Sequence, residues 1–283
     1  MTNTSLTISA ALEAGTRQLA GFGADARREA EFLLASALAC NRGELLARRE
    51  RQVEEAAARR YRASLVRRAQ GEPLAYVTGR KEFWSLDLDV DARVLVPRAE
   101  TELLVEFALQ VVPVDAHVRV LDLGTGSGAV ALAIASERPH ARVVATDVST
   151  GALTVALQNA ERLELGNVRF EIGDWYEPVG AMHFELIVSN PPYVASADER
   201  LRGDGLVSEP RVALTPGPRG LEAIERIAAG ARTHLRPGGW LALEHGADQA
   251  AAVRTLLSTH GLSTIRSLRD LAGHERVTTG RLE

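Results

Sequence analysis

From Val118 to the end of the chain, short apolar runs alternate with longer segments whose apolar residues recur at helical spacing. Seven runs fit strands: RVLDLG, ARVVATD, NVRFEIGD, FELIVSN, WLALEH, STIRSL and ERVTTGRL. Helices are predicted after the first two strands and on both sides of WLALEH, which favours a parallel sheet with right-handed crossovers. The last two strands fit a closing antiparallel pair. Pro237-Gly238-Gly239 is predicted to turn into WLALEH, and residues 195–218 to form a loop. The predicted fold class is therefore α/β.

The first 70 residues have a different pattern. They contain no proline and few β-branched residues, and they are rich in Ala, Leu, Arg and Glu, which are strong helix formers. Four helices are predicted, near residues 7–20, 24–39, 42–48 and 52–70. The expected N-caps are Asp25 and Asn41, and the expected helix ends are Gly21 and Gly71. These segments predict a small helical bundle.

Between these parts, the segment GEPLAYVTGR interrupts the helical pattern. Apolar and aspartate residues then alternate in part, with Asp91-Ala92 in the middle, so a hairpin is predicted near residues 83–96. A helix follows from about Thr101 to Val111, with Glu102 in its first turn. The expected domains are a helical substrate-recognition domain (1–80), a β-hairpin linker (81–97) and an α/β domain (98–283).

Composition limits the kinds of protein that this chain can be. With 283 residues, 46% of them hydrophobic, it can bury a sizeable core. Its one cysteine, Cys40, excludes an internal disulfide and a cysteine metal cage, and fits a reducing compartment. The histidines show no ligand spacing, so no metal is expected. A signal-peptide pattern is absent and no apolar run approaches the ~20 residues of a membrane span, so a cytoplasmic protein is expected.

Charge is unevenly distributed along the chain. The net charge is −4, but residues 1–80 contain 13 arginines against 9 acidic residues, which leaves the remainder clearly acidic. This difference supports two units with different surfaces. A basic helical unit can face an acidic protein or RNA, or it can simply be a solvated surface, and the sequence leaves both interpretations open.

The segment DLGTGSG joins the first predicted strand of the α/β part to its helix. Gly124, Gly126 and Gly128 permit a tight turn and a close approach of the backbone to a ligand. The first amides of the following helix suit a carboxylate or a phosphate. Asp147 ends the second strand 23 residues after Gly124, near the ~20-residue offset at which an acidic side chain binds ribose hydroxyls.

The third strand ends in two further side chains suited to a nucleotide. Asp174 and Trp175 are expected to meet an adenine by hydrogen bonding and stacking. The predicted cofactor-binding residues are Gly124, Thr125, Gly126, Ser127, Gly128, Asp147, Asp174, Trp175 and Asn190.

The tetrad Asn190-Pro191-Pro192-Tyr193 follows the buried strand FELIVS. Two prolines cannot continue a central strand, so Asn190 is expected at the carboxyl edge of the sheet, where open α/β folds bind ligands. The side-chain carbonyl of Asn190 and the main-chain carbonyl of Pro191 can hold both hydrogens of a planar NH2 group and aim its lone pair at an electrophile. Tyr193 offers a flat face for an amide or a base. The expected catalytic residues are Asn190, Pro191 and Tyr193, and Pro192 joins them in binding substrate.

These motifs carry a resemblance to a known family. The GxGxG spacing after Asp122, with Asp147 at the end of the next strand, resembles motif I of class I S-adenosylmethionine-dependent methyltransferases, and NPPY resembles their amino-methylating subgroup. Segments across residues 71–277 resemble the release-factor glutamine methyltransferase family (HemK/PrmC): GEPLAYVTG, LVPRAETELLVE, DLGTGSGAVALAIA, SNPPYV, SEPRVAL, LEHGADQ and DLAGHERV. LTPGPRGL departs from the family, which usually has a Gly-rich stretch with an acid there.

The resemblance implies a class I, Rossmann-like fold with a mostly parallel seven-stranded sheet and a small N-terminal helical bundle. It implies S-adenosyl-L-methionine as methyl donor, S-adenosyl-L-homocysteine as its product, and the glutamine of the GGQ motif in peptide chain release factors as acceptor. A monomer without stably bound nucleic acid or membrane is expected. Because the tetrad contains no strong general base, the expected mechanism is positioning plus electrostatics.

Other functions fit these motifs less well. An adenine N6-methyltransferase acting on DNA or RNA would need a flipped base and a basic groove, which the acidic residues 81–283 disfavour. A non-catalytic partner-binding protein would not need the intact glycine loop, Asp147 and NPPY together. A nicotinamide site is disfavoured by the GxGxG spacing.

Two further segments have two interpretations each. Arg98, Glu100 and Thr101 either close over the cofactor or cap a helix. Glu244-His245 either lines the substrate mouth or simply ends a strand, and the second interpretation is favoured. Trp84 and Trp240 are expected to pack in the core.

Overall fold

The computed structural model describes residues 6–22, 25–203 and 206–283. The chain divides into two compact units, Met1–Arg80 with Asp204–Ser208, and Lys81–Gly203 with Glu209–Glu283. The helices are α1 Ile8–Gln18, α2 Ala26–Leu38, α3 Arg42–Ala47, α4 Glu55–Ala69, α5 Leu74–Thr78, α6 Glu102–Val111, α7 Ala129–Glu137, α8 Thr150–Arg162, α9 Arg211–Leu214, α10 Glu222–His234 and α11 Ala250–Thr259. The strands are β1 Arg80–Phe83, β2 Leu86–Asp89, β3 Arg119–Leu123, β4 Arg142–Asp147, β5 Val168–Ile172, β6 Phe184–Ser189, β7 Leu235–Glu244, β8 Ser263–Arg269 and β9 Glu275–Arg281.

The N-terminal unit is a helical bundle, as the sequence predicts. Its helices bury an apolar core that includes Leu12, Leu34 and Tyr61. Both predicted N-caps are present: Asp25 accepts a hydrogen bond from a backbone amide of α2, and Asn41 forms a capping box at the start of α3. The predicted start of the second helix at residue 24 lies outside the described residues.

The short helix α5 was not predicted. It lies within GEPLAYVTGR, where Pro73 occupies the N-cap and Gly79, with φ of 73°, ends the helix. Proline before a helix and glycine after it are ordinary boundary residues. Because only five residues lie between these boundaries, the segment resembles a loop when the sequence is considered alone.

The hairpin lies earlier in the chain and is shorter than predicted. Strands β1 and β2 pair with each other, and the turn between them is Trp84-Ser85, with φ of 50° and 60°. Positive φ at both central residues is the geometry of a tight hairpin turn. The predicted turn at Asp91 is instead a local loop in which the Asp91 carboxylate accepts a hydrogen bond from the amide of Arg93. The prediction was wrong because aspartate is a common turn residue, whereas the tryptophan at the observed turn is not.

The second unit is built on a seven-stranded sheet in the order β5-β4-β3-β6-β7-β9-β8. All neighbouring pairs from β5 to β7 are parallel, and β9 is antiparallel to both β7 and β8. The predicted mostly parallel α/β sheet is therefore confirmed. The chain moves outward from β3 to β4 on one side and to β6 on the other, which makes the β3–β6 boundary the topological switch point of the sheet.

Helices cover both faces of this sheet. Alternate strand residues point to opposite faces, so Val120 packs in the apolar cluster that contains α6 and α7, whereas Leu121 packs in the cluster that contains α10 and α11. Each such fully buried aliphatic side chain contributes about 2 kcal/mol to stability. Burial on both faces explains why these strands are continuously apolar in the sequence.

The segment Pro237-Gly238-Gly239 lies within β7 and does not form the predicted turn before the strand. Pairing between β6 and β7 has an irregularity between Phe184 and Leu186. Gly238 has a φ of 81°, and a Cβ on Gly239 would lie 2.9 Å from the Arg236 carbonyl oxygen. The two glycines therefore let the strand bend and continue, which is how a bulge is accommodated.

Candidate active site

The ends of β3 and β6 bring the glycine loop and Asn190 together. Leu123 is paired with Ser189 in the parallel register, and the Ser189 hydroxyl donates a hydrogen bond of 2.6 Å to the Leu123 carbonyl. Gly124 and Asn190 are the next residues in each chain segment, so they leave the carboxyl edge of the sheet side by side. Open α/β sheets bind ligands at such a switch point.

A cavity of about 390 Å³ opens at this edge, within the size range of small-molecule sites. The predicted site residues that line it are Gly124, Thr125, Gly126, Ser127, Asp147, Asp174, Trp175, Asn190 and Pro192. Gly128, Pro191 and Tyr193 were also predicted and lie outside this lining. The structure therefore brings most of the predicted cofactor residues to one cavity, and three of the predicted residues are not among those that line it.

The glycine loop is held by the strand next to it. The amides of Gly124 and Thr125 both donate to the Thr146 carbonyl, at 2.8 and 2.9 Å. Gly124, Gly126 and Gly128 all have positive φ, so other residues would be strained there. A Cβ on Gly128 would lie 3.0 Å from Leu132 Cδ1, which explains its position outside the lining: this glycine lets the loop pack on the helices.

Asp147 holds the same loop through its carboxylate. Its Oδ2 accepts a hydrogen bond from the Gly126 amide and its Oδ1 accepts one from the Ser149 amide, both at 2.9 Å. Burial raises the pKa of this carboxyl, and the backbone donors offset part of that rise. Each oxygen keeps a further lone pair, so the carboxylate can also accept hydrogen bonds from a ligand.

Asp122 lies below the loop and was not among the predicted site residues, although its place before the glycines is a usable signal. The carboxylate is 2% exposed, lines the cavity, and accepts a hydrogen bond of 2.7 Å from the Thr125 hydroxyl. Burial raises the pKa of Asp122 to about 7, while the Thr125 hydroxyl and the Ala131 amide lower it. The first turn of α7 is thus already bonded to a carboxylate of the protein itself.

Asp174 and Trp175 follow β5, which ends at Ile172. Trp175 has a φ of 48°, and its ring lies 3.4 Å from the position of a Cβ on Gly124. Asp174 is paired with Arg226 at 2.6 Å, a partner that the sequence did not predict. The two side chains line the cavity beside the glycine loop.

Asn190 is held by a side chain from the segment PRAET, residues 97–101. Its Nδ2 donates a hydrogen bond of 3.1 Å to the Thr101 hydroxyl. Thr101 is buried, lines the cavity and occupies the N-cap position of α6, but its side chain makes no capping bond to that helix. With its NH2 group bonded to Thr101, Asn190 keeps its carbonyl oxygen as a free acceptor.

Tyr193 is anchored at the end of β7. Its phenol donates a hydrogen bond of 3.2 Å to Glu244 Oε1. Burial raises the pKa of Tyr193, and the neighbouring Glu244 adds to the rise. Burial also raises the pKa of Glu244 to about 7, although the hydroxyls of Thr101 and Tyr193 lower it. The favoured interpretation of Glu244 as an ordinary strand end misses this contact.

Two negative findings apply to the described ranges. No helix within them has the length and apolar character required to cross a membrane. No group of three or more His, Cys, Asp or Glu side chains within them is arranged to hold a metal ion.

The family comparisons agree with this geometry. A model described as "Methyltransferase small domain" matches residues 99–219, and one described as "PrmC N-terminal domain" matches residues 10–79. A methyltransferase structure from Pyrococcus furiosus has the same fold, with a TM-score of 0.51 and 22% identity over 69% of this chain and 88% of that one. The fold and the domain match thus define a class I methyltransferase, as predicted.

Curated relatives narrow this class. The release factor glutamine methyltransferase of Xylella fastidiosa (strain Temecula1) is 51% identical over 255 residues, which cover 90% of this chain and 93% of the relative. That of Coxiella burnetii is 45% identical over 276 residues, which cover 98% and 99%. The chain belongs to the release factor glutamine methyltransferase family. The predicted enzyme class, a protein-(glutamine-N5) methyltransferase, is confirmed.

Proposed function

We propose that this enzyme transfers a methyl group from S-adenosyl-L-methionine to the side-chain amide nitrogen of the glutamine in the GGQ motif of peptide chain release factors. The observation that carries the proposal is the convergence of the glycine loop, Asp147 and Asn190 on one cavity at the sheet switch point. Family membership supports the substrate, and the donor set of the cavity supports the cofactor.

The residues of the cavity fit this cofactor. Asp147 has lone pairs for ribose hydroxyls, Trp175 and Asp174 suit an adenine, and positive φ at Gly124 and Gly126 lets a ligand approach the backbone. S-adenosylmethionine, when bound, supplies a methyl group made electrophilic by a positively charged sulphur. The carboxyl group of Asp122 lines the same cavity and adds a further hydrogen-bonding group to it.

Asn190 and Pro191 orient the acceptor amide in this mechanism. The Asn190 carbonyl oxygen and the Pro191 main-chain carbonyl accept the two hydrogens of the glutamine NH2 group. Held in this way, the amide nitrogen has its lone pair turned out of conjugation and toward the methyl donor. Pro192 and Tyr193 keep the loop rigid, and the Tyr193 ring supports the planar amide. As the methyl group bonds to the nitrogen, the amide gives up one proton to water, so catalysis depends on positioning more than on a general base.

The lining of the cavity favours a slender, uncharged acceptor over a nucleic acid. Arg226 is paired with Asp174, and Arg93 with Asp91, so neither guanidinium carries an uncompensated charge. Phosphate binding relies on available Lys and Arg side chains. Adenine methylation in DNA or RNA is therefore the weaker candidate.

The helical domain (1–80), rich in arginine, recognises the release factor, and the domain from residue 98 carries the chemistry. The enzyme works as a cytoplasmic monomer, without stably bound nucleic acid.

The test is a methylation assay with purified release factor and labelled S-adenosylmethionine, followed by mass spectrometry of the GGQ peptide. One added methyl group on that glutamine is expected. The Asn190→Ala variant is expected to lose about 10²–10³-fold in turnover, the size of effect that follows the loss of an electrostatic positioning group, with cofactor affinity retained. Label in DNA with none in the release factor would contradict the substrate, and full turnover by Asn190→Ala would contradict the role of that residue.

A further inference from the structure

A buried carboxylate lies next to the site and has no function in the chemistry described above. Glu244 ends β7 and is 1% exposed. Its Oε1 accepts the Tyr193 phenol, whereas its Oε2 has no hydrogen-bond partner among the described residues. Burying a carboxylate that lacks a full set of partners costs stability. A residue that is costly at this position, beside the NPPY segment, calls for a functional explanation.

Thr101 connects this carboxylate to Asn190. The Thr101 side chain is 3% exposed and lies in the single 3-10 turn Ala99–Thr101 before α6. Its oxygen accepts the Asn190 Nδ2 hydrogen at 3.1 Å, and its hydroxyl lies near enough to the Glu244 carboxyl to lower the pKa of that group. The hydroxyl therefore lies between the catalytic loop and the end of β7.

The chemistry of the three groups gives the chain a direction. When Glu244 is ionised, above its pKa of about 7, its carboxylate only accepts hydrogen bonds, so the Thr101 proton then points to Glu244. The Thr101 oxygen is then left with lone pairs, and these accept an NH2 group in preference to a carbonyl. The Asn190 amide consequently turns its NH2 toward Thr101 and its carbonyl oxygen away from it.

The opposite orientation of this amide would be unproductive. An asparagine amide can rotate by half a turn and exchange its oxygen and nitrogen with little change in shape. The rotated Asn190 would present hydrogens to the hydrogens of the acceptor NH2 group, and no bond could form between them. The acceptor amide would then lose one of its two anchors.

We propose that Thr101 and Glu244 are positioning residues for methyl transfer, which hold the Asn190 amide with its oxygen toward the acceptor glutamine. The inference rests on the proposed role of Asn190. Glu244 also holds the Tyr193 phenol, so one carboxylate orients side chains at both ends of the NPPY segment.

The first test compares two substitutions of Thr101 with a matched control. Thr101→Val removes the hydroxyl and keeps the shape, and we expect kcat to fall about tenfold while affinity for S-adenosylhomocysteine is unchanged. Thr101→Ser restores the hydroxyl and should restore turnover. The control Thr279→Val removes another fully buried hydroxyl, which donates to the Arg266 carbonyl in the β8–β9 pair, and should leave turnover unchanged.

A double-mutant cycle separates orientation from general destabilisation. If Thr101 acts through Asn190, Thr101→Val should cost nothing further in the Asn190→Ala background, measured by single-turnover methylation. A further tenfold loss in that background would overturn the proposal. Glu244→Gln is expected to behave as Thr101→Val does, and the Thr101 variants keep the proposal testable if Glu244→Gln fails to fold.

The outcomes distinguish this inference from the proposed function. Full turnover by Asn190→Ala refutes the role of Asn190 and this inference with it. An inactive Asn190→Ala together with fully active Thr101→Val and Glu244→Gln overturns this inference alone. Loss of turnover in Thr101→Val, rescue in Thr101→Ser and no additivity with Asn190→Ala support it.

Discussion

Replacing Asp147 by asparagine should weaken cofactor binding, because the carboxylate holds the glycine loop as well as facing the cavity. Each of its oxygens accepts one backbone amide, from Gly126 and from Ser149, both at 2.9 Å. An asparagine keeps one oxygen and turns the other into an NH2 group, so one of these two amides meets a donor. The substitution therefore disturbs the loop even though it preserves the size of the side chain.

The size of the expected loss in affinity follows from these hydrogen bonds. An unpaired buried amide costs about 1–3 kcal/mol, and a hydrogen bond to a charged group exceeds a neutral one by about 1 kcal/mol. We therefore expect Asp147→Asn to weaken binding by about 2–4 kcal/mol, which corresponds to roughly 30- to 700-fold in Kd.

Calorimetric titration with S-adenosylhomocysteine measures this affinity without turnover. Asp270→Asn is the control, because Asp270 Oδ1 alone accepts the amides of Ala272 and His274, both at 2.9 Å, in the turn between β8 and β9, and an asparagine there can keep both bonds. The control should bind S-adenosylhomocysteine with unchanged affinity. Unchanged affinity in a folded Asp147→Asn variant would refute the assignment, and equal losses in both variants would indicate a general effect of aspartate replacement.

Two further predictions concern stability. Gly230→Ala should lower the free energy of unfolding by about 1–3 kcal/mol in chemical denaturation, since the added Cβ would lie 2.5 Å from the Tyr176 ring. The control Gly151→Ala should be tolerated, because its Cβ would lie 3.4 Å from Arg93. A Gly230→Ala variant as stable as the unchanged protein would contradict this packing. Glu244 has a pKa raised from 4.5 to about 7, so the folded state binds its proton more tightly than the unfolded state. Its contribution should be fully present below pH 4.5 and should be lost, by about 3 kcal/mol, as the pH rises through 7. Glu244→Gln should flatten this slope, and an identical slope in both proteins would contradict the shift.

The boundaries of many elements could be predicted from local sequence. Asp25 and Asn41 cap helices because their short polar side chains satisfy free amides at a helix start, whatever the rest of the fold does. The central strands are apolar on both faces because helices cover both sides of a parallel sheet. These features need no knowledge of distant contacts.

Features that depend on distant contacts were predicted less well. The hairpin turn lies at Trp84-Ser85, where the indole Nε1 donates to Glu137 and the Trp84 amide donates to Glu102, both at 3.0 Å. These contacts come from α7 and α6, so they hold a turn that local chemistry would not favour. The same limitation applies to the bulge at Gly238-Gly239, which depends on pairing between β6 and β7.

The sequence by itself determined the alternation of strands and helices, the glycine loop and the NPPY segment, because each depends on periodicity or on the conformational limits of glycine and proline. Only the tertiary structure decided that Asn190 meets Thr101 and that Tyr193 meets Glu244. These side chains come from three separate parts of the chain, and sheet register brings the ends of β6 and β7 together. A hydrogen-bond partner is determined by position in space, and the spacing of residues along the chain does not predict it.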